Sequence, residues 1–134
     1  MNKEELIQKA IQARDNAYTP YSKFNVGCAL LLKDGSVIIG ANIENASYGL
    51  TNCAERSALF AAYSKGYRQD DILSMAIVGD TDKFISPCGA CRQVISELVN
   101  EKTAIYLSNL NNDLKEVNKH DLLPFSFTNK DMEK

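Results

Sequence analysis

The sequence predicts an α/β fold, a three-layer α-β-α sandwich on a mixed five-stranded sheet. Three observations carry that prediction. Apolar patterns follow one another in the order α-β-β-α-β-α-β-β, which packs naturally as one sheet with helices on its faces. Two apolar runs, V-G-C-A-L-L-L and V-I-I-G-A, flank K-D-G-S, a strong hairpin signal at Asp34-Gly35. The 134 residues, without repeats or low-complexity stretches, suit a single domain over 1–134 around one core.

Each element has a local reason. Asn2 followed by Glu5 reads as a helix cap and its reciprocal partner, and Leu6, Ile7, Ala10, Ile11 and Ala17 fall near helical spacing, so a helix is predicted over 3–17. Thr19-Pro20 ends it. After the hairpin, N-C-A-E-R-S-A-L-F-A-A-Y-S-K (52–65) reads as a helix closed by Gly66. Ile72–Val78 reads as a strand. Ser86-Pro87 reads as cap and first residue of a helix running to about Val99. Thr103–Leu107 is a strand, and N-L-N-N-D turns it back into Leu114–Val117, a weak fifth strand. The K-D-M-E-K end reads as a solvated tail.

Composition narrows the function classes. Hydrophobic residues make up 45% and charged residues 24%, as in an ordinary soluble globule. No apolar run approaches the roughly 20 residues that span a bilayer. The opening M-N-K-E-E-L-I-Q-K-A carries charge through its first turns, unlike a secretory signal, so a cytoplasmic location and reduced cysteines are expected. A net charge of −2 and a pI of about 5.4 lack the basic footprint of a nucleic-acid binder.

The chemistry lies in the cysteines. Cys88 and Cys91, in S-P-C-G-A-C, stand at i and i+3 near a predicted helix N-terminus, whose free N–H groups favour thiolates. Such a pair is either a thioredoxin-like redox couple or half of a zinc site. Cys53, in T-N-C-A-E-R-S, also begins a predicted helix, and Glu55 follows two residues later. Three protein ligands leave a zinc ion one position open, the catalytic pattern, and a carboxylate beside that position can serve as a base. Cys53, Glu55, Cys88 and Cys91 thus make a complete chemical set.

The chain resembles the zinc-dependent cytidine deaminases, specifically the small homotetrameric nucleoside enzymes. The resemblance rests on P-Y-S-K-F-N-V-G (20–27), N-I-E-N-A-S-Y-G (42–49), N-C-A-E-R-S-A (52–58) and S-P-C-G-A-C-R-Q (86–93), in the family's order and over nearly the whole chain. Zinc deaminases carry an H-x-E…P-C-x-x-C signature with a three-cysteine variant, and here Cys53 stands at the His position. The resemblance implies a cytidine deaminase-like fold, one Zn²⁺ per chain on Cys53, Cys88 and Cys91, and hydrolysis of cytidine and deoxycytidine to uridine and deoxyuridine. A zinc-activated water would attack C4, with Glu55 shuttling its proton to N3 and then to the leaving amine. It further implies Asn42 and Glu44 on the ribose hydroxyls and Phe24 against base or sugar. The backbone around Ala54 and Ser86 would read the pyrimidine edge, and Phe125 would reach into a neighbour's site in a homotetramer. The implied partner is a free nucleoside of pyrimidine salvage, with neither a nucleic-acid polymer nor a membrane. A deaminase of the blasticidin S type shares the zinc motifs and stands as the alternative. A zinc-stabilised or thiol-redox module would have no need of Glu55.

Three thiolates around Zn²⁺ leave one net negative charge, which acidifies water less well than a neutral centre. Arg56 is therefore expected to donate charge-assisted hydrogen bonds to the sulfurs, with Arg92 as a weaker candidate. Other residues have plainer readings. Cys28 reads as a buried small residue in a strand, His120 as a surface side chain, and Tyr48 as a residue at a subunit interface. Without the resemblance, Asn42 and Glu44 would read as turn and rim residues, and Phe24 and Phe125 as core. Leu122, Leu123, Phe125 and Phe127 need burial, which a partner surface could supply.

Overall fold

A computed structural model describes residues 1–133. Helix α1 (Lys3–Ala13) starts at Asn2, whose Oδ1 accepts the Glu5 N–H at 2.8 Å. The return bond from the Glu5 side chain is not formed among the described residues, so the cap is one-sided. The helix is also shorter than 3–17. From Arg14 to Asn16 it tightens into a 3₁₀ turn, because Asp15 and Asn16 are weak helix formers and Arg14 is drawn across to Asn25, donating Nε to its carbonyl at 3.1 Å.

Strands β1 (Val26–Leu32) and β2 (Val37–Ala41) pair antiparallel. Their turn carries a Gly35 N–H to Leu32 C=O bond of 3.0 Å and a left-handed Gly35, φ 87°. This is a type I turn followed by a glycine bulge, the three-residue hairpin loop. Helix α2 (Ala54–Ser64) ends with Gly66 at φ 98°; Tyr67 N–H bonds Ala62 C=O and Gly66 N–H bonds Tyr63 C=O, a Schellman motif. Strand β3 (Ile72–Gly79) is followed by helix α3 (Gly89–Leu98), strands β4 (Ala104–Asn109) and β5 (Leu114–Val117), and the short helix α4 (Lys119–Leu122). The start of α3 differs from the expected Ser86-Pro87. Cys88 is the cap, its Sγ accepting the Cys91 N–H at 3.5 Å, while the Ser86 hydroxyl accepts from Arg92 instead. At the C-terminal end, Asn129–Met132 forms an exposed 3₁₀ turn, in keeping with a solvated tail; Lys134 of that tail lies outside the described residues.

The sheet order is β2-β1-β3-β4-β5, with only β3 and β4 parallel. Strand alternation divides the core. Ala29, Ala76 and Val78 meet Leu6, Ile7 and Ala10 of α1 on one face. Cys28, Leu30, Met75, Ile77 and Ile105 meet Ala58, Leu59 and Ile95 of α2 and α3 on the other. The α-β-α layering is therefore present. Gly40 fixes the height of α2 on the sheet: a Cβ there would lie 2.5 Å from the Ala58 nitrogen and 2.8 Å from the Ala54 carbonyl oxygen. That close approach sets the first turn of α2, where the chemistry begins.

Candidate metal centre and active site

The first turns of α2 and α3 converge. Cys53 and Cys88 are the residues immediately before them, and Cys91 lies in the first turn of α3. All three sulfurs fall within 4.8 Å of one another, Cys53 and Cys88 at 3.8 Å. Two helix N-termini thus face one sulfur cluster, placing partial positive charge where thiolates gather. The protonation pattern reflects this crowding. The Cys53 thiol is held down to about 5, first by the Cys91 thiol and then by Arg56 and Cys88, against the cost of burial. Cys91 is pushed up by acting as donor to Cys53 and by its own burial. The donor set fits zinc: three soft sulfurs converge from two segments, with no fourth His, Cys, Asp or Glu in the group among the described residues.

Beside the sulfurs, Glu55 is only 4% exposed, and burial pushes its carboxyl up to about 7 although Cys91 and Arg56 pull the other way. Arg56 donates Nη2 to Cys53 Sγ at 3.4 Å, while its Nε is buried without a hydrogen-bond partner among the described residues. Arg92 is placed differently. Its Nε goes to Pro87 C=O at 2.9 Å, Nη1 to Leu122 C=O at 2.6 Å and Nη2 to the Ser86 hydroxyl, so it braces the loop and does not touch the sulfurs. These contacts correct the expectation that Arg92 shares the task of Arg56.

The other residues singled out in the sequence have these surroundings. The buried Asn42 side chain clips the chain before β1, donating Nδ2 to Phe24 C=O at 2.8 Å and accepting the Val26 N–H on Oδ1 at 2.9 Å. One amide hydrogen and one lone pair remain for a ligand. Glu44 Oε1 accepts the Tyr21 and Ser22 N–H groups at 3.0 and 3.1 Å, and the Ser22 hydroxyl holds its carboxyl below the usual range. Glu44 also lines a cavity of about 390 Å³ together with Tyr21, Ser22, Tyr48 and Thr51. The Phe24 ring lies over Gly79 at the end of β3. Ala54 is fully buried at the start of α2, and Ser86 is exposed. Phe125 stands apart: it is fully exposed and left-handed, φ 57°. Tyr48 is 77% exposed and stacks edge-on against Tyr21. Of the apolar C-terminal run, Leu122 already joins the chain's own core, whereas Phe127 remains exposed. Cys28 is buried in β1 with its thiol pushed up by burial, and His120 is on the surface beside Glu101 at 3.4 Å.

Asn109, fully buried at the end of β4, went unsuspected in the sequence. Its Nδ2 reaches the carbonyls of Thr81 and Lys83, and its Oδ1 accepts from Asn111 and Asp113. It therefore anchors the stretch leading into Ser86-Pro87-Cys88. The only local hint was the asparagine-rich turn.

Comparison with known proteins gives one answer. The family model "Cytidine and deoxycytidylate deaminase zinc-binding region" matches residues 1–107. A cytidine deaminase of Halalkalibacterium halodurans is 60% identical over 132 residues, covering 98% of both chains. One from Sporosarcina psychrophila is 49% identical, covering 98% of this chain and 96% of the relative. The crystal structure of cytidine deaminase from Burkholderia pseudomallei superposes with a TM-score of 0.92 at 50% identity, covering 95% of this chain and all of that one. A blasticidin-S deaminase of Bacillus cereus is more distant, 29% identical over 131 residues.

Proposed function

Because the chain belongs to the cytidine and deoxycytidylate deaminase zinc-binding family, we infer that it is a zinc-dependent enzyme that hydrolyses cytidine and deoxycytidine to uridine and deoxyuridine with loss of ammonia. The observation that carries this reading is the convergence of three sulfurs beside a buried carboxyl, within a chain 60% identical to a cytidine deaminase. The much lower identity to the blasticidin-S deaminase leaves that alternative without support of its own.

Cys53, Cys88 and Cys91 would hold the zinc, whose chemistry when bound is Lewis acidity toward water. Glu55 performs the proton work. With its carboxyl raised to about 7, it can accept a proton near neutral pH, return it to N3 of the pyrimidine, and assist departure of the amine. Arg56, already bonded to Cys53, draws negative charge from the sulfurs. Glu44 is held by two backbone N–H groups, and with Asn42 it offers a rigid pair for the ribose hydroxyls. Phe24 supplies an apolar wall, and the backbone at Ala54, which opens α2, and at Ser86, two residues before Cys88, reads the pyrimidine edge. The single domain works as a homotetramer in which each Phe125 enters a neighbour's site; its complete exposure supports this. Thiolate ligation suits a reducing compartment, so the enzyme acts in the cytoplasm, in pyrimidine salvage.

Ammonia release from cytidine, with and without a zinc chelator, tests the reading. Chelator-sensitive turnover with one zinc per chain is expected; turnover of blasticidin S in preference to cytidine would overturn it.

A further inference from the structure

The outer face of α3 grips the chain on both sides of Phe125. Arg92 donates to the Leu122 carbonyl at 2.6 Å. The buried Ser96 hydroxyl bonds the Ser126 hydroxyl at 2.7 Å, and Gln93 donates Nε2 to the Phe127 carbonyl at 2.9 Å. Lys119 adds a bond to the Ser96 carbonyl at 2.9 Å, tying α4 to the same helix. Between these anchors Phe125 adopts the left-handed conformation, φ 57°, and projects its ring fully into solvent. A bulky residue stays in that region only when its surroundings over-determine it. The polar side chains of α3 supply that determination. They make no contact with the sulfurs, so site chemistry does not explain them.

We propose that Gln93 and Ser96, with Arg92, are positioning residues that set the pose of Phe125 for the neighbouring subunit's nucleoside site. The proposal rests on the reading that Phe125 enters that site. Arg92 has a second attachment, to Pro87 and Ser86 in its own chain's metal loop. The same helix therefore ends on one side at the chain's own centre and holds on the other the ring given to the next. A loosened ring weakens nucleoside binding but leaves proton transfer alone, because the Gln93 and Ser96 side chains bond the Phe125 segment and not Glu55 or the sulfurs.

The test uses the purified full chain. In Gln93→Ala/Ser96→Ala, KM for cytidine should rise by about 3–10-fold, from two lost hydrogen bonds, while kcat stays within about twofold. Zinc content and assembly mass should match wild type. Because Ser96 is buried, Gln93→Ala alone is measured as well, with a smaller rise in the same direction. Mixed assemblies then locate the effect. Chains of Glu55→Gln carry an intact clasp and an inactive site, so mixing them with the double variant should return KM toward wild type. Recovery is the expected result. An unchanged KM in the clasp variants, or no recovery on mixing, overturns the proposal. If Phe125→Ala itself leaves KM unchanged, the reading of Phe125 fails; if Phe125→Ala raises KM and the clasp variants do not, only the clasp fails.

Discussion

Burial strips hydration from the Glu55 carboxylate, and the carboxyl answers by rising to about 7. The same displacement that disfavours its charge prepares it to take and return a proton near neutrality. Replacing Glu55 with Gln keeps the shape and removes the proton. Activity should fall by about 10²–10⁴-fold with zinc content per chain unchanged; metal analysis and single-turnover kinetics on the same sample check both halves. Arg56 works on the other side of the balance. Its bond to Cys53 withdraws charge from a centre that three thiolates would leave net negative. In Arg56→Gln the sulfurs keep more charge, so water at the centre should be less acidic and the thiolates easier to protonate. The acid limb of the kcat/KM profile should move to higher pH, and a chelator should strip zinc faster. If both the profile and the stripping rate match wild type, Arg56 has no such role. Cys28→Ala, in contrast, should keep its zinc, since that thiol lies within β1 and outside the sulfur group.

Elements were legible where the signal is local. The Asp34-Gly35 hairpin, the Gly66 stop and the alternating strands all depend on residues a few positions apart. The start of α3 was misplaced because a cysteine took the cap that serine usually fills, a choice set by the sulfur cluster and invisible to capping statistics. The four groups of the centre were legible because cysteines and an acid at such spacing are chemically rare. Gln93 and Ser96 were not, because their partners lie 34 and 30 residues away and nothing in their own neighbourhoods points there; for Asn109 the asparagine-rich turn hinted at its local bonds but not at Thr81, 28 residues back. The hairpin also carries a contact of this long-range kind. Tyr67, just past α2, donates to Asp34 Oδ2 at 2.7 Å, while Ser36 donates to Oδ1. These bonds, that from the Ser36 side chain foremost, lower the Asp34 carboxyl from 3.8 to about 2. A depressed carboxyl contributes stability above its unfolded value and loses it as pH falls through the folded one. Tyr67→Phe should therefore lower stability at neutral pH, with the difference from wild type shrinking below about pH 4 as Asp34 protonates in both proteins. Urea unfolding at neutral pH and again near the acid end reads the difference directly; equal stabilities at neutral pH would show that the turn gains nothing from the tyrosine.

At the scale of the molecule, the decisive feature is an aromatic ring with nowhere to go in its own chain. Phe125 is fully exposed, although three polar contacts fix the chain around it. Holding a bare phenyl ring in water has no stabilising return within a monomer, while burying it in a neighbour's site would contribute about 1.5–3 kcal/mol. If that burial is shared with bound nucleoside, Phe125→Ala should raise KM about tenfold or more, at about 1.4 kcal/mol per decade, with less effect on kcat. The loss should appear in the partner's site: in assemblies mixed with Glu55→Gln chains, Phe125→Ala subunits should regain tight binding from their neighbours' intact rings. Light scattering on the wild-type chain, 14.8 kDa per subunit, should give a mass about fourfold larger. A single-chain mass at working concentration, with cytidine turnover intact, would mean that each site is complete on its own and that the exposed ring serves some other contact.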